Sequence, residues 1–294
     1  MNRVRKQIHY SRAEKEQLTG YHIGVGVLDS GIFPHEDLKD QIRAFRDFTN
    51  KYQLPYDETG HGTHVCGILA GNGRVLHGKY KGMAPCCDLY VGKILDKKGE
   101  GSLKTLLRGL EWLLSIAESC NIRIINISVS SIASARQEEQ KRLYELFQYA
   151  YENNILIVTA AGNFGPGDNT ISRLGDTPFV ICVGCHDGDL ENGGLRCQDC
   201  SGRGPGENVW KKPDIVAPGT QIISCQAAYG KYVARSGTSM ATPIVSGLLA
   251  LACEKYPYLT AMQLKRKLIV SATDLGESYL MQGAGMVDVE KMLS

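Results

Sequence analysis

The chain has 294 residues, of which 43% are hydrophobic and 22% charged, and its formal net charge is +2. Disordered and collagen-like chains are excluded by that composition, and the charge is too balanced for a polyanion-binding surface, so nucleic acid is not an expected partner. No stretch approaches the ~18 apolar residues that cross a membrane, so no membrane partner is expected either.

The opening Met1–Gly20 is basic, but no apolar run of signal-peptide length follows, so Sec export is not expected. The ten cysteines are too few for a disulfide scaffold. Together these point to a cytoplasmic protein with separate reduced thiols. Ser11-Arg12-Ala13-Glu14 matches a capping box and Gly20 a stop, predicting one short helix in an N-terminal extension, 1–20, ahead of a single domain, 21–294.

Tyr21–Leu28 then reads as a buried strand. Leu103, Leu106, Leu107, Leu110 and Leu114 share one helical face within Ser102–Cys120. Arg123–Val129 reads as a strand, and Gln137–Asn153 as a helix with Leu143, Leu146, Phe147 and Ala150 inward. Ile155–Ala160 and Phe179–Gly184 are further strands. Helices follow at Thr242–Tyr256 and Ala261–Ile269, the second capped by Thr260 and Gln263. Pro243 is expected in the first turn, where N–H groups need no intrahelical acceptor. Alternating helices and continuously apolar strands predict an α/β fold: a mostly parallel central sheet with helices on both faces. Glycine-rich 162–167 and 193–206 read as long surface loops, the usual carriers of binding or catalysis.

Four segments carry chemistry. Asp29 and Asn163 follow strands, at the carboxyl ends that line the crevice of an open parallel sheet. His61 opens His61-Gly62-Thr63-His64. Ser239 sits at the start of an apolar helix, whose free N–H groups stabilise a developing anion. Serine is a weak nucleophile until a base takes its proton, and histidine suits that task at neutral pH. A carboxylate must fix the imidazole tautomer, and an amide with a backbone N–H can hold an oxyanion. The order is Asp…His…Ser. All seven histidines precede Ser239, which excludes an α/β-hydrolase arrangement.

In these segments the chain resembles the subtilisin-family serine proteases. VLDSGI, HGTHVCG, AAGNFGPG, KPDIVAPG and SGTSMATP occur in family order across most of its length. Tyr80–Pro85 and Pro178–Gly184 look closest to the AprX-like bacterial branch. The resemblance implies a subtilisin-like three-layer fold and a serine endopeptidase acting on peptides or proteins. It implies Asp29 as triad acid, His61 as base, Ser239 as nucleophile and Asn163 as oxyanion-hole amide. It also implies two substrate edges: Asn126, Ser128, Val129 and Ser130 on one, Ala160, Ala161 and Gly162 on the other. Ser130 and Ser131 stand where the family usually has glycines, which favours restricted specificity and leaves general turnover and dedicated leader maturation both open. An inactive binding module on the same fold is the alternative.

No cofactor is expected. The Gly71–Lys81 loop lacks acidic residues, so a structural calcium ion is not indicated, although Asp37 could match one ligand. Cys182-x-x-Cys185 and Cys197-x-x-Cys200 are too closely spaced for the usual zinc pattern. His64 and Cys66 read as structural residues. Gly73–Lys79 mimics a phosphate loop but Tyr80 replaces its Ser/Thr, and Gly24-Val25-Gly26 lacks the third glycine of a dinucleotide fingerprint.

Overall fold

The computed structural model describes residues 1–50, 52–129, 136–188, 196–205 and 210–294. In chain order it forms α1 (Asn2–Gln7), α2 (Ser11–Lys15), β1 (Gly24–Asp29), β2 (Ile42–Asp47), α3 (His61–Ala70), β3 (Asp88–Lys93) and α4 (Leu103–Ile116). Next come β4 (Ile122–Ile127), α5 (Gln137–Glu152), β5 (Leu156–Ala160), β6 (Val180–Cys185) and α6 (Cys197–Cys200). The remainder is β7 (Ile215–Ala217), β8 (Ile222–Cys225), β9 (Tyr232–Arg235), α7 (Thr238–Lys255), α8 (Ala261–Val270), α9 (Tyr279–Gln282) and α10 (Val289–Met292).

Seven strands form one parallel sheet in the order β2-β3-β1-β4-β5-β6-β7, and β8 and β9 pair as an antiparallel ribbon. Alternate side chains of each strand face opposite ways. Val25, Val27, Ile124, Leu156, Val158, Ile181 and Val183 pack with α3 and α7 on one face. Leu28, Ile125, Ile127, Ile157 and Val180 pack with α4 and α5 on the other. The result is the expected three-layer α/β fold, a mostly parallel central sheet with helices on both faces.

Ser102 caps α4 by accepting from Thr105 N at 3.2 Å. Leu103, Leu106, Leu107, Leu110 and Leu113 are buried there, while Leu114 lies only partly inside. Thr260 and Gln263 form the predicted box at α8. The central helix α7 is buried from Thr238 to Cys253, as a helix apolar all round must be. It begins four residues before the predicted Thr242. Pro243 therefore stands in the second turn, not the first, and its missing N–H leaves the Ser239 carbonyl without its i+4 donor.

The first 20 residues also differ from expectation. They form two helices, and Ser11 is the first residue of α2, not its cap; no side-chain cap forms. Burial decides the arrangement. Val4, Ile8, Tyr10 and Ala13 are buried in the same core as α7. The Tyr10 hydroxyl donates to Met83 O at 2.5 Å, Arg5 Nη2 to Gly82 O at 2.7 Å, and Val289 N to Ile8 O at 2.8 Å.

Candidate active site

β2 and β3 lie to one side of β1, and β4 to β7 to the other. In a parallel sheet the crevice opens at such a switch point, above the strand ends. Asp29 ends β1 there and is fully buried. Its Oδ1 accepts from Ser30 N at 2.7 Å and lies 2.6 Å from His61 Nδ1. Oδ2 is buried without a hydrogen-bond partner among the described residues.

His61 is the first residue of α3, entered through Gly60 in the left-handed conformation at φ 70°. The following glycine is forced by proximity. A Cβ on Gly62 would lie 3.1 Å from Gly31 N and 3.2 Å from the Asp29 Cβ, so any larger residue would push His61 off the acid. Burial of the imidazole disfavours its charge, but the Asp29 carboxylate outweighs this, and the His61 pKa stands above the ordinary 6.5. Arg235 pulls it down and Asp57 pushes it up.

Ser239 is the second residue of α7, only 9% exposed. It shares a cleft of ≈ 230 Å³ with His61, Thr59, Leu95, Lys98, Gly99, Ser128 and Val129. Its N–H belongs to the first helical turn, where no intrahelical acceptor exists. Asn163 lies beside that turn. Its Oδ1 accepts from Thr238 N at 3.0 Å and Thr238 Oγ1 at 3.1 Å. The backbone donor fixes the amide orientation and directs Nδ2 away from Thr238.

The other expected residues divide. Ser128 and Val129 line the cleft with Ser239. Asn126 lies inside the sheet; its Nδ2 donates to Ser128 Oγ and its Oδ1 accepts from Ser246 of α7, both at 2.9 Å. Ala160 pairs with Val183, Ala161 N donates to Val183 O and Ala161 O accepts from Ser172 N, so those backbone groups are already engaged. Gly162 turns the chain toward Asn163 at φ 96°. Ser130 and Ser131 lie outside the described residues.

Sequence comparison decides the family. The Subtilase family model matches residues 20–287. The chain is a subtilase. It is 36% identical to Serine protease AprX of Bacillus subtilis (strain 168), over 94% of this chain and 67% of that protein. It is 32% identical to Subtilisin DY of Bacillus licheniformis, over 95% and 94% of the two chains. Among solved structures, S41 Psychrophilic Protease superposes with a TM-score of 0.81 at 29% identity, and Sphericase with 0.80 at 30%, each covering 92% of both chains. The subtilase is accordingly a serine endopeptidase, a hydrolase acting on peptide or protein substrates.

Sequence reasoning missed Asp57, which builds the entry to α3. Its Oδ1 accepts from Ser30 Oγ at 2.8 Å and Gly60 N at 2.9 Å. Its Oδ2 accepts from Thr63 N at 2.9 Å and Thr63 Oγ1 at 2.6 Å. Ser30 Oγ in turn accepts from Gly62 N at 2.9 Å. The available signal was a carboxylate a few residues ahead of a helix start.

His64 is structural. Its Nε2 lies 3.0 Å from both Ile222 O and Val233 O, and burial pulls its pKa down to about 3. Cys66 is a fully buried thiol pushed well above its ordinary pKa by burial. Subtilases commonly bind calcium, but the residues around Asp37 do not fit that ion. Asp37 Oδ1 accepts from Val75 N of the loop and Oδ2 from the Tyr232 hydroxyl of β9, so both carboxylate oxygens face donors where calcium would need them free as ligands. His35 and Cys225 stand near Asp37, yet His35 Nδ1 accepts from Asp37 N and Nε2 faces Lys231 O.

One expectation about the cysteines is overturned. Cys185 and Cys197 are joined in a disulfide with Cα atoms 5.7 Å apart, while the other eight are free. The end of β6 and the start of α6 converge on the same buried glycine, Gly219, which brings the two sulfurs together. Cys182 packs instead against Gly175, so the two C-x-x-C pairs do not converge on one centre.

Proposed function

We propose that this subtilase cleaves internal peptide bonds through Asp29, His61 and Ser239, with Asn163 and the Ser239 N–H as the oxyanion hole. The observation that carries this is the 2.6 Å Asp29–His61 contact, with the same imidazole sharing one cleft with Ser239. Asp29 holds the Nδ1–H tautomer and leaves Nε2 to accept the Ser239 proton as Oγ attacks the scissile carbonyl. The developing oxyanion is met by Asn163 Nδ2, whose Oδ1 is anchored on Thr238. His61 then protonates the leaving amine, and water hydrolyses the acyl-enzyme.

The substrate backbone lies as an added strand along Ser128–Val129. Asn126 acts through Ser128 and Ser246, and Ala160, Ala161 and Gly162 form the opposite wall leading to Asn163. Leu95 and Val129 give the cleft an apolar side.

Ser239→Ala tests the reading. Loss of this serine in a subtilisin costs about 10⁶ in kcat, and a comparable loss is expected here. Activity near wild type in a pure sample would overturn the assignment.

The same reading takes the enzyme as cofactor-independent and cytoplasmic, with 21–294 as the peptidase domain and 1–20 as a clamp on it. The donor-rich surroundings of Asp37 support the first of these. Full activity in a chelator and recovery in the soluble cytoplasmic fraction are the expected results; calcium-dependent activity or export would refute them. Cleavage across a peptide library separates general turnover, which gives a broad preference before the scissile bond, from dedicated maturation.

A further inference from the structure

Cys185 ends β6 and Cys197 opens α6, and both sulfurs rest on Gly219. A Cβ on Gly219 would lie 2.5 Å from Cys185 Sγ, 3.1 Å from Cys197 Sγ and 2.7 Å from Gly237 O, so there is no slack around this residue. Gly219 O accepts from Gly237 N at 3.0 Å, and Gly237 caps the helix that carries Ser239. Cys197 N donates to Thr220 Oγ1 at 2.9 Å, and Asp187 Oδ1 accepts from Gly219 N and Thr220 N at 3.1 and 3.0 Å. The segment after Cys197 holds the other half of the oxyanion hole. Gly165 N donates to Cys200 O at 2.9 Å, Gly202 N to Gly162 O at 2.8 Å, and Cys185 N to Ser201 Oγ at 3.0 Å. One covalent bond thus ties together the two backbone paths that lead to Asn163 and to Ser239.

We propose that Cys185–Cys197 is a redox-modifiable site whose closed form positions the oxyanion hole, an inference that rests on the roles given above to Asn163 and Ser239. Both cysteines are positioning residues. Opening is thiol–disulfide exchange with a small dithiol: a thiolate attacks one sulfur, a mixed disulfide forms, and the second thiol closes a ring and releases the enzyme as two thiols. Two electrons and two protons pass to the cysteines. A small disulfide such as oxidised glutathione reverses the step, taking up the same two electrons and two protons as two thiols. Opening the bond uncouples the end of β6 from the 197–202 segment, which is hydrogen-bonded to Gly162 and Gly165 on either side of Asn163. A misplacement of ~1 Å at a catalytic group costs up to about 10²-fold; shared between the two paths, about a tenfold fall in kcat is expected. A disulfide that opens and closes agrees with a cytoplasmic enzyme, where such bonds are transient and redox-sensing.

The test equilibrates the full chain with dithiothreitol or with oxidised glutathione, then measures kinetics, alkylation and zinc content. Alkylation in denaturant is expected to reach all ten cysteines in the reduced form and to leave Cys185 and Cys197 unmodified in the oxidised form. In the reduced form kcat falls about tenfold while KM stays within about twofold, because the hole acts in the transition state. A fluorophosphonate still labels Ser239 in both forms, more slowly in the reduced one. The double variant Cys185→Ala/Cys197→Ala is expected to match reduced wild type and to ignore the reductant. Equal kcat in both forms, ten alkylated cysteines in both, or zinc held by Cys185, Asp187 and Cys197 would overturn the proposal. So would a double variant that keeps the wild-type redox response. If that variant fails to fold, the comparison of the two wild-type forms decides. Absence of labelling in both forms would instead count against the triad.

Discussion

Asp57→Asn isolates the carboxylate that builds the α3 entry. The substitution keeps the side-chain shape but removes one charge and converts one acceptor into a donor. Whichever way the amide turns, it faces either Ser30 Oγ and Gly60 N or the Thr63 N–H and hydroxyl, and those donors lose their acceptor. Hydrogen bonds to a charged group contribute about 1.5–3 kcal/mol each, so with partial reorientation of the hydroxyl the loss is about 2–4 kcal/mol. A domain of typical stability, about 5–15 kcal/mol, remains folded. Two readouts then separate structure from chemistry. The urea midpoint falls at unchanged slope. The kcat also falls, about 10–100-fold, because Gly60 and Gly62 no longer seat His61 against Asp29. Removing the negative charge also lowers the His61 pKa, so the acid limb of the pH profile moves to lower pH, since the base must be neutral. An unchanged midpoint together with an unchanged kcat would refute this account of how α3 is entered.

Asn163→Ala removes the side-chain amide proposed as an oxyanion donor; a drop of about 10²–10³ in kcat, the cost measured for the like donor of a subtilisin, is expected with little change in KM. An unchanged kcat would take Asn163 out of the hole. Arg235→Gln removes a positive charge that lowers the His61 pKa, so the acid limb of kcat/KM should move up by on the order of half a pH unit. A limb that stays or falls would contradict the placement of that guanidinium. His64 has a folded pKa of about 3 against an ordinary 6.5, so it stabilises the fold above 6.5 and that contribution is lost as pH falls toward 3. The urea midpoint should therefore drop between pH 6.5 and about 4, and His64→Gln should flatten the drop. An equal drop in the variant would assign it to other groups.

Much of this was legible in the chain itself. The strand and helix pattern reported a parallel sheet because its strands are buried on both faces, and the four chemical segments sit where strand ends and helix starts fall together. What escaped were features set by tertiary contact. Ser11 reads as a cap, yet burial of Val4, Ile8, Tyr10 and Ala13 winds the first 20 residues into two helices instead. Pro243 reads as a first-turn residue, yet the helix starts at Thr238 because the Asn163 side chain receives its first free N–H. Asp57 carried only a weak capping signal, since its partners Ser30 and Thr63 come from separate elements. Cys185 and Cys197 meet only because β6 and α6 both close on Gly219, which no spacing rule expresses.

The central claim is that Ser239 is an activated nucleophile. Intact mass after fluorophosphonate treatment of wild type and Ser239→Ala tests it most directly. One adduct on wild type and none on the variant is the predicted result. No adduct on folded wild type, or an adduct that persists on Ser239→Ala, would contradict it, the first outcome leaving a protease fold that binds without cleaving.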